Sequence, residues 1–135
     1  MSESAEKASS LILDTSVIID AFRGNDLIRR QLESAGVLYL PSIVVGELHR
    51  GLYRSQKADE GRAKIARLQS VSIGLDVDAH TGEYFAVVDS ALAQKGRPIP
   101  DNDVWIAALA LQHGLCLFTK DNHFKEVDGL ELLMP

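Results

Sequence analysis

The chain has a single cysteine, Cys116, among its 135 residues, so no internal disulfide can form. A reducing, cytoplasmic setting is therefore the expectation. Cys116 lies in the apolar segment LCLFT, where an inert core thiol is expected rather than a nucleophile. No apolar run reaches the roughly 18 residues of a membrane span, so no membrane partner is expected. Basic charge is not in excess: the formal net charge of −5 argues against a surface built to wrap duplex nucleic acid. It does not exclude nucleic acid as a substrate, because a local basic face can still guide phosphates. A zinc-type cluster is lacking too, since His49, His80, His113 and His123 are scattered along the chain. Internal repeats, low-complexity tracts and interdomain linkers are missing. The opening MSESAEKASS has no basic region followed by an apolar stretch; residues 1–10 read as a loose tail, not a secretory signal. Residues 11–135 are enough for one compact domain and too few for two.

What is present is an alternation of short apolar runs with longer periodic ones. Leu11–Leu13, Val37–Leu40, Ser72–Val77, Leu115–Thr119 and Leu130–Leu133 read as strands. Helices are expected over Ser16–Phe22, Asp26–Ala35, Ser42–Arg54, Ala58–Gln69, Ala79–Lys95 and Asp103–Gln112. Gly36 and Gly96 are expected helix stops, and Asp78 a helix cap. The helix containing VWIAALAL is apolar nearly all round, so it should be central. Strands alternating with helices imply a parallel sheet with helices on both faces, an α/β/α sandwich. Ligands then bind beyond the carboxyl ends of the strands, where strand order reverses.

Four acids fall where strands and helices should meet: Asp14, Glu47, Asp103 and Asp121. Each has an ordinary explanation. Asp14 can cap the next helix, although Thr15 and Ser16 can cap equally well and leave its carboxylate free. Glu47 can pair with Arg50 at i,i+3. Beside it, Gly46 weakens the helix and could let another backbone or a ligand approach. Asp103 gains from the helix dipole, though Asp101 can serve as N-cap there or act as a fifth ligand. Asp121 can be a turn residue in TKDN. Taken together they point elsewhere, because clustered carboxylates oppose one another's ionisation and are tolerated mainly when a divalent cation neutralises them. Oxygen donors of this kind suit Mg²⁺ or Mn²⁺, and the chemistry such sites perform is phosphate chemistry.

The segments LILDTSVIID, VVGEL, NDVWIAALALQHG and LFTKDNHF, in that order and spacing, resemble the PIN-domain nucleases, and among them the VapC-type toxins of prokaryotic toxin–antitoxin pairs. The resemblance covers nearly all of the chain from Leu11 onward. It implies a parallel five-stranded sheet flanked by helices, and Mg²⁺- or Mn²⁺-dependent cleavage of single-stranded RNA by water attack. It places Asp14, Glu47, Asp103 and Asp121 as the acidic quartet that binds metal and carries catalysis. Ser16 and Thr119 match the small hydroxyl residues nearby. The resemblance further implies a homodimer and a cognate antitoxin; a segment of that antitoxin is expected to cover the acidic pocket, and the helices of residues 26–70 are the candidate docking surface. The polar tail and the competing acid Asp101 are departures from the family pattern.

Arg50, Arg54, Lys57, Arg62, Lys64 and Arg67 follow Glu47 along two helices. They form either a solvated face or a rail for RNA phosphates, with Arg50, Arg54 and His123 as RNA contacts. Trp105 and Tyr53 could stack on a base, but Trp105 sits in the apolar helix, where core packing is the better reading. Two other function classes keep the fold. In the first, a phosphatase or phosphoryl-transfer domain uses Asp14 as acceptor; Ser16 stands where phosphatases of that kind carry a second acid. The second is a catalytically silent module that binds RNA or protein.

Overall fold

Each short apolar run becomes a strand and each longer periodic run a helix in the computed structural model, which describes residues 9–135. The order is β1 (Ser10–Leu13), α1 (Thr15–Phe22), α2 (Asp26–Ser34), β2 (Val37–Pro41), α3 (Ser42–Leu52) and α4 (Ala58–Ser70). There follow β3 (Ile73–Leu75), α5 (Ala79–Gln94), α6 (Asp101–His113), β4 (Cys116–Phe118), a 3-10 turn (Asn122–Glu126) and β5 (Leu132–Leu133). The strands form one parallel sheet in the order β3-β2-β1-β4-β5. The chain thus builds outward from the central strand through β2 to β3. It then crosses back to lay β4 and β5 on the other side, so strand order reverses between β1 and β4.

The central strand is fully enclosed: Leu11, Ile12 and Leu13 are buried beside Leu117 and Phe118 of β4. α6 supplies Val104, Ile106, Ala107, Ala108, Leu109 and Ala110 to the same core, as its all-round apolar sequence requires. Trp105 packs on Phe85 of α5 with ring centroids 4.1 Å apart, so it is a packing residue between helices. Tyr53 is almost fully exposed. α5 opens on a capping box, with Asp78 and Thr81 exchanging side-chain and backbone hydrogen bonds. It ends before Gly96, whose φ of +69° is the expected left-handed stop.

Three local expectations are corrected. Gly36 is not a left-handed stop. α2 ends in extended Ala35, and Gly36 instead lies against Ser9, where its N–H donates to the Ser9 carbonyl at 2.6 Å and an added Cβ would come within 2.8 Å of Oγ. Gly46 has no other backbone packed on it, since nothing lies within 4 Å of an added Cβ. Asp101 does not cap α6 but is its exposed first residue, after Pro100, whose carbonyl accepts the Asp103 and Val104 N–H groups at 3.0 and 3.1 Å. Of the expected tail, residues 1–8 lie outside the described residues, and β1 already begins at Ser10. β3 and β5 are shorter than expected because each is an edge strand paired on one side only. Among the described residues no helix is long and apolar enough to cross a membrane.

Candidate active site

The register of the two middle strands builds the site. Leu13 pairs with Phe118, so the next residues, Asp14 and Thr119, emerge side by side at the carboxyl edge of the sheet. The Asp14 N–H continues the ladder to the Phe118 carbonyl at 3.1 Å. Asp14 occupies the N-cap position of α1, yet its side chain makes no cap hydrogen bond. Its Oδ2 instead accepts from the hydroxyls of Ser16 and Thr119, both at 2.7 Å. The carboxylate is thus turned towards β4 and is only 2% exposed. Thr119 also accepts the Asp121 N–H at 3.0 Å, and Ser16 accepts the Lys120 N–H at 3.1 Å. The two hydroxyls therefore tie the loop after β4 to the acid after β1.

Glu47, on the second turn of α3, approaches from the other side and accepts the Thr15 hydroxyl at 3.1 Å. Asp103 is on the first turn of α6, and its Oδ2 lies 2.8 Å from His123 Nε2. That is an ion-pair distance, but the ring nitrogen is not aligned for a hydrogen bond along it. Asp121 opens the 3-10 turn that carries His123.

The electrostatics show that the four acids share one region. Asp103 is pushed up to about 6, first by burial and then by the charges of Asp14, Glu47 and Asp121, with His123 opposing. Burial raises Glu47 above the ordinary carboxyl range, and Asp14 and Asp121 add to this against the Thr15 hydroxyl and Arg50. Asp121 is likewise raised by burial and by Asp14, opposed by His123 and Lys120. Asp101 is exposed, and the leading influences on Asp103 come from burial, His123, Asp14, Glu47 and Asp121. Burial raises the Cys116 thiol, as suits an unreactive sulfur.

Among the described residues, no three acidic, histidine or cysteine side chains stand close enough, as placed, to clasp an ion. The donor set nevertheless fits a hard divalent cation, since the convergent groups are carboxylates whose charges already oppose one another. Mg²⁺ commonly retains several waters and uses only one or two carboxylates, so a closed protein cage is not required.

Beside Glu47, two cavities of about 320 and 280 Å³ share Ile19, Glu47 and Gly51. The first adds Phe22, Leu48, Leu52 and Ile65 with Lys57 and Lys64; the second adds Thr15, Arg50 and Arg54. Arg62 is turned away into a pair with Asp59, and Arg67 lines an adjoining hollow with Arg29 and Val71, which shares Phe22 and Lys64 with the first cavity. The basic run is therefore divided: Arg50 and Arg54 share one cavity with Glu47, Lys57 and Lys64 line the other, and Arg50 is the cation whose charge acts on Glu47. Two participants escaped the sequence reading. Thr15 holds Glu47 across 32 positions, and it stood in plain view between Asp14 and Ser16. The Lys120–Asp20 ion pair joins positions 100 residues apart and leaves no local signature.

The chain and its fold have known counterparts. The PIN domain family model matches residues 11–130, and the chain belongs to that family. It is 32% identical over 123 residues to ribonuclease VapC5 of Mycobacterium tuberculosis, covering 87% of each chain. To ribonuclease VapC2 of Haemophilus influenzae it is 29% identical over 119 residues, covering 87% of this chain and 89% of that one. Its fold superimposes on a chain of the VapBC2 crystal structure from Rickettsia felis bound to a promoter DNA fragment, with a TM-score of 0.86 and 27% identity over 93% of this chain and 98% of that one.

Proposed function

We propose that the protein is a ribonuclease toxin of a toxin–antitoxin pair, cutting single-stranded RNA with Mg²⁺ or Mn²⁺. The observation that carries this is the gathering of Asp103, Glu47 and Asp121 within reach of the charge of the buried Asp14, at the edge where strand order reverses. The relatives' common designation as ribonucleases supplies the substrate class. Asp14, Asp103 and Asp121 would hold the cation, with Glu47 binding through water or taking a proton from the attacking water. When bound, the cation withdraws charge from the phosphoryl oxygens, lowers the pKa of water and steadies the departing oxygen.

The chain's own contribution is placement. Ser16 and Thr119 fix Asp14 through Oδ2, and Thr15 fixes Glu47 through Oε1. Arg50 and Arg54, lining the cavity that contains Glu47, would bind RNA phosphates and lead the strand to the acids. The burial of Asp14 and the two hydroxyls on one of its oxygens speak against its acting as a phosphoryl acceptor.

The neighbouring toxin–antitoxin structure supports a cognate antitoxin as partner. The apolar cavity walled by Phe22, Leu48, Leu52 and Ile65 suits an antitoxin segment, and an inserted Arg could pair with the carboxylates beyond it. The protein itself would act as a homodimer. The deciding experiment is incubation with a generic single-stranded RNA. Cleavage with Mg²⁺ or Mn²⁺, abolished by EDTA and leaving 5′-phosphate ends, is the expected result. Intact RNA under all metal conditions would sink the proposal.

A further inference from the structure

Every acid of the cluster but one is held by a hydroxyl or by the sheet. Asp14 has Ser16 and Thr119, Glu47 has Thr15, and Asp121 is tied through its backbone N–H to Thr119. Asp103 has none of these. Among the described residues, the group that reaches its side chain within pairing distance is His123, whose Nε2 is 2.8 Å from Oδ2 and shielded from solvent. We infer that His123 is a positioning residue, setting the place of the Asp103 carboxylate in the acidic site; this rests on the metal-dependent reading given above.

The imidazole is well placed for that task. It rides on the 3-10 turn that Asp121 opens, so one turn delivers both an acid and the neighbour of another acid. The turn is anchored by the fully buried Phe124, whose N–H donates to the Asp121 carbonyl at 3.4 Å. The His123 ring rests against that of Phe124, with centroids 4.9 Å apart and planes at 52°. Phe124 thereby limits the swing of the imidazole, and the imidazole edge closes one side of the space open to Asp103. The contact also joins the start of α6 to the loop after β4, two elements that carry different members of the acid set. The His123 side chain is 37% exposed, but the shielded atom is Nε2, the one turned to Asp103.

The test uses the full chain with Mn²⁺ alone, followed by titration calorimetry or by the free-ion resonance signal, and then cleavage kinetics. H123A is expected to weaken Mn²⁺ binding and lower kcat by about 10–100-fold while leaving KM for a single-stranded oligoribonucleotide within about twofold. H123Q, which keeps a donor of similar reach, should recover part of both losses. In a D103N background, H123A should cause no further loss of Mn²⁺ affinity, and because both chains there carry the same first change, this comparison survives an unstable single variant. A rise in KM with Mn²⁺ affinity unchanged would make His123 an RNA contact and overturn the inference alone, as would a full further loss in the D103N background. Failure of the unaltered chain to take up any Mn²⁺ would overturn the inference together with the metal-dependent reading beneath it.

Discussion

Burial and three neighbouring carboxylates raise Asp103 to about 6 from its ordinary 3.8. In the metal-free protein the folded state therefore keeps a proton that the unfolded chain releases at lower pH. Stability supplied by that proton is present below the unfolded value and is lost as pH rises through about 6. Glu47 and Asp121 act in the same direction. D103N removes the titrating group, so in EDTA its melting temperature relative to the unaltered chain should be higher at about pH 8 than at about pH 4. A difference that stays flat across that range would mean that neither burial nor its neighbours raise Asp103. D14N should abolish cleavage and leave the metal-free melting temperature equal or higher, since a repelling charge leaves while the Ser16 and Thr119 hydroxyls can turn to suit an amide. A clear fall in that temperature would identify Asp14 as chiefly structural.

At the level of elements, α3 and the turn after it bear an acid and two cations together: Glu47 and Arg50 on the helix and Arg54 just beyond it line one cavity. R50A/R54A should weaken RNA binding and flatten its dependence on salt by about 0.7 in log–log slope for each phosphate that is no longer neutralised. An unchanged slope would leave these arginines as ordinary surface groups. Far from the acids, T81A removes the α5 capping box and a bond to Gln112, and should cost about 1–2 kcal/mol in denaturant unfolding with cleavage unaltered. That capping box was half legible, because Asp78 before an apolar run is a start signal whatever the fold. Other features were legible for equally local reasons: the all-apolar α6 had to be interior, and an acid directly after a strand had to reach the sheet edge. Partnerships over long separations were not. Nothing near Gly36 announces Ser9, and nothing near Lys120 announces Asp20, because both contacts exist only once β1 has neighbours on each side. Asp101 misled because an acid two residues before Asp103 looks like a cap, whereas the proline at position 100 already shapes the entry to the helix.

For the molecule as a whole, the acid cluster couples stability to ion binding. At free Mg²⁺ or Mn²⁺ about 100 times the dissociation constant, unfolding should become harder by about 2.7 kcal/mol. The gain should shrink in acid, where protons compete for the same oxygens. Thermal scans with and without the ion at several pH values check this; equal melting temperatures throughout would leave the cluster without a ligand. The sheet also determines which parts of the site can yield. Asp14 extends the ladder of the innermost strand and is clamped by two hydroxyls, whereas Glu47, Asp103 and Asp121 arrive on two helices and a turn. The site thus has one post set in the sheet, two arms each tied by a single hydroxyl (Glu47 to Thr15, Asp121 through its N–H to Thr119), and a third, Asp103, resting against His123. Cations of unequal radius could be accommodated by the arms alone, and exchanging magnesium for manganese should leave the post where the sheet has set it.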